Sequence, residues 1–502
     1  MTLRNDASRQ TLRLADPRRP RAVVARQGQV LLDTDFDQQA AHALARIDSG
    51  DADMLGQSPG LPMAGRLAYP AGSAAFEISA AATADQCGIG AGQGYLGGRQ
   101  VENPAACTLA TQPHPRPDTT PPVPCAIMLK SLLRRVDPVE DPVLADAALG
   151  DAQASGRSMV DWQVFGFAAA EPLTCASIVS NPDWLKLTAP STGTQSALPD
   201  AAPPASDPCS LSPAGGYTRL ENLLYRVEVH GGTPRADYPS ADGPRFDLAG
   251  VQIKLSRRNA SVMARIEAVG GSALTGAEVS VAPAMLDPLN WFAPGLYAEI
   301  VSPHDDIDRR DALQAGGERL FGISRATDAV VVLDGAALPQ LTALAGQPNW
   351  FLRLWDAFPD GSGLVTAVAG GGQSQLIDLG DGLKARLGAG AAVTTFRRGD
   401  CWTFVARADG SIDWPMAAPF EVPHGPLTHY APLQVLNPVA AVPGDEDCRI
   451  PFAALTDRAL LYRGGDGQAV PVPPGGGFAA LPATLRVAVM RGRTPVVGAQ
   501  VQ

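Results

Sequence analysis

The sequence predicts a mainly β protein, built of several antiparallel sandwich- or barrel-like modules with one short N-terminal helix. Three observations predict it. The 502 residues include 52 Gly and 45 Pro, roughly a fifth of the chain against a usual figure of about 12%, scattered without a period. Only 18% of residues are charged while 45% are hydrophobic, which describes packed strands joined by turns and not disorder. Segments of alternating polar and apolar residues recur through the chain, the period of a strand with one buried face.

The elements follow in order. After a basic arm carrying Arg18, Arg19, Arg21 and Arg26, Asp33 or Thr34 caps a helix from about Asp35 to Ile47, where Gly50 stops it. Phe36, Ala40, Ala43, Leu44 and Ile47 fall at helical spacing and give it one sticky face. Its few large apolar groups leave it marginal alone, so it packs on its own domain or on a partner. From Phe76 to Asn103 strands flank a glycine-rich turn. Gly92, Gly94 and Gly97 fit a dinucleotide-binding string, yet no helix pattern follows, so a turn cluster is the reading. Strands are expected over Ala126–Val136 and Ser158–Phe167, with a short helix or loop at Asp141–Gly150 between them. In LLYRVEVHG, Leu223, Tyr225, Val227 and Val229 face inward while Arg226, Glu228 and His230 face outward. VQIKLS and VMARIEAV repeat the alternation on either side of RRNAS, and six further strand patterns run to Gly388. A linear division follows: arm and docking helix 1–50, a first β domain 51–275, a second 276–460, and a linker with the start of an immunoglobulin-like module 461–502. That last segment reads as the front of a longer polypeptide, with a swapped strand or a tail as the alternative.

Composition also narrows function. The net charge is −11, against nucleic acid as a partner. No stretch of 18 apolar residues occurs and the start shows no apolar leader core, so neither a membrane span nor a secretory signal is expected, and the protein is expected to be made in the cytoplasm. Seven cysteines at wide spacings are read mostly as buried thiols, with Cys175–Cys209 as a bridge if the protein meets oxidising conditions.

Candidate chemistry is thin. Glu421, His424 and His429 form the best metal cluster, but their loop fixes no common face, so loop-stabilising hydrogen bonds are the first reading. His304, Asp305, Asp306 and Asp308 lack the Gly and terminal Glu of a calcium loop and read as a solvated turn. In the string GQSPG, Ser58 precedes Pro59, which has no N–H for an oxyanion hole. The seven tryptophans are buried aromatics in the first reading and sugar platforms in the second. No catalytic residue, cofactor or metal site is assigned, and the expectation is a protein that is not an enzyme.

Several blocks occur together in order: ARQGQVLLDTDFDQQ, GQGYLGGRQVEN, DPVLADAALGDAQASGRSMVDWQV, YTRLENLLYRVEVHGG, VQIKLSRRNASV, FLRLWDA, GDCWTFVARADGSIDWP and PHGPLTHYAPL. As a set, over about Arg21 to Leu455, they resemble a family of bacterial proteins in gene clusters for phage-tail-like contractile injection systems, often followed by immunoglobulin-like or β-helical parts. Departures occur at Asp35, Phe36, Asp37 and Gln38, where the family has Asp-Trp-Asn-Glu. They recur at Leu255 and Ala260, in place of Trp and Gly, and at Thr428, in place of a first His before His429. A scaffold tolerates such changes better than a catalytic site does. The resemblance implies a structural role at the baseplate or in a fibre attached to it, inside a released particle. Expected partners are other protein subunits and copies of the chain; a cell-surface receptor or glycan is the alternative, and a polysaccharide-degrading enzyme comes after that. Arg18, Arg19, Arg21, Arg26, Phe36, Leu44 and Ile47 are the expected docking residues. Tyr225, Arg257, Asn259, Gly399, Asp400, Trp402, Trp414, Pro415, His424, Gly425 and His429 are the expected scaffold motif.

Overall fold

The structure, a computed structural model, describes residues 22–24, 27, 30, 33–55, 65–79, 87–116, 123–149, 155–201, 215–285, 287–310, 319–344, 346–415, 419–438, 444–452, 458–464, 486–491 and 494–495. The basic arm's Arg18, Arg19, Arg21 and Arg26, Ser58 of the GQSPG string and Cys209 lie outside them. The described chain is mainly β, in several sheets and one closed barrel.

Three β units are nested. The first is built on two long strands, Cys125–Val136 and Arg157–Ala168, paired antiparallel along their full length. Thr428–Leu436 joins them from some 260 residues further on, and Ile450–Phe452 pairs in parallel with Ala68–Pro70. Both faces of this sheet are covered: Ile127, Leu129, Trp162 and Val164 on one side, Met128, Phe165, Phe167 and Trp184 on the other. That double burial explains its near-continuous apolar run, CAIMLKSLL. Pro432, which has no N–H for the ladder, sits where the pairing with Cys125–Val136 shifts register, the position a sheet allows it.

A second unit, a sandwich, interrupts the first. One sheet orders Val365–Thr366, Gln252–Ser256, Leu223–Gly231 and Cys401–Ala406; the facing one contains Gly193–Pro199, Leu383–Ala389 and Ile377–Gly380. Between them lie Tyr225, Val227, Val229, Ile253, Leu255, Trp402 and Phe404. Tyr225 stacks on Phe404 at a centroid distance of 5.4 Å. Burying each such side chain contributes on the order of 1.5–3 kcal/mol.

The third unit interrupts the second. Six strands, Met263–Ser272, Gly276–Ala282, Val330–Leu333, Leu320–Ala326, Tyr297–Val301 and Phe351–Trp355, close into a barrel around Ala264, Val279, Ile300, Phe321, Val331 and Leu352. The chain leaves the sandwich through the tight RRNAS turn, where Asn259 and Ala260 both have φ of 52°, and VQIKLS and VMARIEAV therefore enter different sheets. The expected boundary at 275/276 falls in the turn of a barrel hairpin. At the C-terminal end Arg486–Arg491 pairs with Arg458–Gly464 and with Thr494–Pro495.

Two local expectations are corrected. The helix spans Asp33–Leu55 and runs through Gly50; the packing of Asp48 and Ala52 against the body, described below, holds the backbone helical on both sides of the glycine. The disulfide joins Cys175 to Cys448, with Cα atoms 5.1 Å apart, because the returning Glu446–Asp447 strand passes the helix Cys175–Ile178. A link across 273 residues stabilises a fold by about 5 kcal/mol on a chain-entropy account. Cys87, Cys125 and Cys401 are buried thiols as expected.

Candidate functional site

The outward face of Leu223–Gly231 is not solvated. The barrel covers it, leaving Arg226 and Glu228 at 3% and 2% exposure, so each charge needs a partner. Arg226 Nε donates to Glu228 Oε2 at 2.7 Å and its Nη1 to Asn259 Oδ1 at 3.2 Å. Lys254, from the neighbouring strand, contacts Glu228 at 3.3 Å and donates to both carboxylate oxygens of the barrel's Glu299 at 2.7 Å. Glu299 also accepts from Trp355 Nε1 at 2.7 Å, and the Lys254 ammonium lies 4.2 Å from that ring's centroid. Burial works against ionisation of Glu299, yet Lys254 first, with Arg398 and Arg353, outweighs it and holds its carboxyl below the usual glutamate value.

A second cluster joins all three units. Lys130 on the long strand of the first unit donates to Asp242 at 2.6 Å and to the carbonyl of Ile307 beside the barrel. Tyr430 donates to Asp242 at 2.5 Å and accepts from Arg397 at 2.8 Å. Burial opposes the Asp242 carboxylate, and Lys130, Arg397, Arg116 and Arg309 overcome it, keeping it ionised below the normal aspartate range.

The acidic run His304, Asp305, Asp306 and Asp308 belongs to this interior, which corrects its reading as a solvated turn. His304–Ile307 is a helical turn; Asp305 meets Arg319 at 2.6 Å, Asp306 meets Arg353 at 3.3 Å and Asp308 meets Arg310 at 2.8 Å. His304 Nδ1 lies 3.1 Å from His114 Nδ1, and His114 contacts Asp161 at 3.2 Å. Burial opposes Asp161, but its hydrogen bond from His114 and the charge of Arg134 hold it down at about 2.

Between the units lie a cleft of about 80 Å³, lined by Arg134, Glu140, Arg226, Glu228, Lys254 and Glu299 among others, and an open groove of about 770 Å³. The groove has the volume of a ligand pocket. Its arginines are paired: Arg135 with Asp137 and Arg219 with Glu221 on the same groove wall, and Arg257 and Arg258 with Asp356. In the cleft, Glu299 is held ionised and Glu228 is bound by Arg226 and Lys254. These pairs tie the sandwich to the barrel across the cleft, and on its wall burial raises the carboxyl of Glu140 above the usual glutamate value against the pull of Arg134.

The expected scaffold residues other than His429 are brought into the sandwich and its edges. Tyr225 donates to Asp381 at 2.7 Å, and Arg257 Nε to the same carboxylate at 2.6 Å. Asp400 caps the turn at Gly399 (φ 82°) by accepting from Arg397 N at 2.6 Å. Trp402 and Trp414 donate to the carbonyls of Glu421 and Pro419, and Pro415 is exposed. His424 Nε2 lies 2.7 Å from Glu421 Oε2 while its Nδ1 accepts from Thr403 N at 3.1 Å. Gly425 is buried, its carbonyl accepting from Cys401 N at 3.1 Å. His429 lies apart from His424, on the Thr428–Leu436 strand opposite Ser131. Among the described residues no group of three or more His, Cys, Asp or Glu is placed to hold a metal ion. Trp162, Trp184, Trp291, Trp355, Trp402 and Trp414 are all buried and Trp350 is half-buried, so none forms an open stacking platform. Lys130, Asp242, Lys254 and Glu299 gave no local signal: Lys254 and Glu299 look like the wet face of a strand, Lys130 is a lone charge in an apolar run, and Asp242 lies in a turn.

A different feature stands at the surface. The Asp33–Leu55 helix lies against the hairpin turn of the first unit, where a Cβ on Gly98 would come within 1.8 Å of the Asp48 carbonyl oxygen and 3.0 Å of the Ala52 methyl. Arg99 reaches Asp48 at 3.6 Å. The half-buried positions are mostly polar or small, Gln38, His42, Asp48 and Ala52 among them, while Phe36, Leu44, Ile47 and Met54 are 79%, 55%, 56% and 77% exposed. The amphipathicity is inverted relative to an ordinary surface helix.

Fold and site together define a mainly β protein of nested sandwich and barrel units joined by buried ion pairs. The chain belongs to the DUF6519 family, a family of unknown function, which it matches over residues 14–175 and 184–500. No curated protein and no solved structure matches it. No helix among the described residues is long and apolar enough to cross a membrane.

Proposed function

We propose that this protein is a non-catalytic structural subunit of a phage-tail-like contractile injection particle, placed at the baseplate or in a fibre attached to it. The observation that carries the reading is the inverted helix: a chain that turns its bulky apolar residues away from its own core has them for another surface. The resemblance of the ordered sequence blocks names the kind of assembly. The locked junction supports the role, since a load-transmitting part gains from units that cannot rotate against each other. The Cys175–Cys448 bridge fits a protein that works outside the reducing cytoplasm after release in a particle.

The test is uptake. Particles from cells producing the full chain should contain it at a fixed copy number, and Phe36→Asp with Ile47→Asp should abolish uptake while leaving a folded protein. Particles free of the native chain, or carrying the double variant at the native level, would overturn the proposal.

A further inference from the structure

We propose that the outward face of the Asp33–Leu55 helix is a parallel, in-register coiled-coil seam that joins this chain to a second copy of itself. The inference rests on the assembly reading above and names the partner. Phe36, Ala40, Ala43, Ile47, Gly50 and Met54 follow one another at alternating steps of four and three residues, the spacing of coiled-coil core positions. All six are apolar or glycine; five are exposed and Gly50 is half-buried. Asp48 and Ala52, which meet the Gly98 turn, lie roughly 100° and 140° around the helix from Ile47, so docking on the body leaves the seam open. The small residues Ala40, Ala43 and Gly50 let two backbones approach, and Phe36, Ile47 and Met54 supply the apolar area to bury.

Charge selects the partner and its direction. In a parallel pair, the residue just before one core position reaches the residue five places later on the partner. Here Arg46 meets Asp51 of the second copy, twice by symmetry, and Gln39 meets Leu44 without charge. An antiparallel pair keeping the same core layers would set Arg46 against Arg46 and Asp37 against Asp51. Both helices therefore point the same way from a two-fold axis along the seam.

The experiment is sedimentation of the purified full chain and its variants, with circular dichroism to confirm that each is folded. The native chain should self-associate. Arg46→Asp and Asp51→Arg should each weaken association by about tenfold or more, since each replaces two attractive contacts by repulsive ones. An equimolar mixture of these two variants should recover association, because both acidic positions of the first variant then face both basic positions of the second. A single-chain mass for the native protein at every accessible concentration would overturn the proposal, and so would association that neither substitution alters or that mixing fails to restore. Native chain that stays monomeric but still enters particles would refute self-pairing alone. Self-pairing chain absent from particles would instead refute the proposed function.

Discussion

At the scale of single residues the structure depends on charges that have no water. Lys254 holds Glu228 and Glu299 together across the sandwich–barrel boundary, all three nearly inaccessible. Lys254→Met strands two carboxylates in the interior and should lower stability by about 3–5 kcal/mol, read as a shift in the denaturant midpoint. Replacing Lys254, Glu228 and Glu299 together by apolar residues of similar volume should cost less than the single change. The buried histidines set the response to acid. Burial first, then Lys254 and Arg398, push His230 down to about 3; burial and Arg99 push His429 down to about 4. Both are neutral in the fold and bind protons in the unfolded chain below about pH 6.5. Stability is therefore complete above that value and falls as pH drops towards 4, by up to about 1.4 kcal/mol per pH unit for each histidine. Unfolding free energies at pH 7 and pH 5 measure it, and equal values would contradict this reading of both sites.

At the scale of elements, the helix and the Gly97–Gly98 turn depend on each other. Gly98 has φ of 75° and the helix backbone in contact. Gly98→Ala should cost at least about 1 kcal/mol from backbone strain alone. It should also release the helix, seen as lost hydrogen-exchange protection across residues 33–55 with the long strands unaffected. How much was legible at this scale depended on range. The sticky face through Phe36, Leu44 and Ile47 was readable because helical spacing is local, whereas continuation past Gly50 was not, because a glycine in the sequence shows its cost and not the turn that offsets it. Leu223–Gly231 was readable as a strand. Its wet-looking Arg226 and Glu228 were not readable as buried, since the barrel that covers them enters the chain about thirty residues later. The partner of Cys175 was hidden for the same reason.

At the scale of the whole molecule, nesting is the main property. The chain enters the first unit, breaks off to build the sandwich, breaks off again to build the barrel, and returns through both. Each insertion starts and ends at neighbouring points, so linear composition shows no boundary, and the expected division at 275/276 could not anticipate it. The buried ion pairs lie where the three units meet and join their cores, while the helix lies at the surface against the Gly97–Gly98 turn. Among the described residues, the helix segment that a deletion of 1–50 removes meets the body at Gly98 and Arg99, and the melting temperature of the body should stay within a few degrees of native. The most direct measurement is the copy number of this chain in purified tail-like particles, full length against that deletion. A fixed, symmetric copy number is expected for the full chain and none for the folded truncated protein. Equal incorporation of both would contradict this expectation.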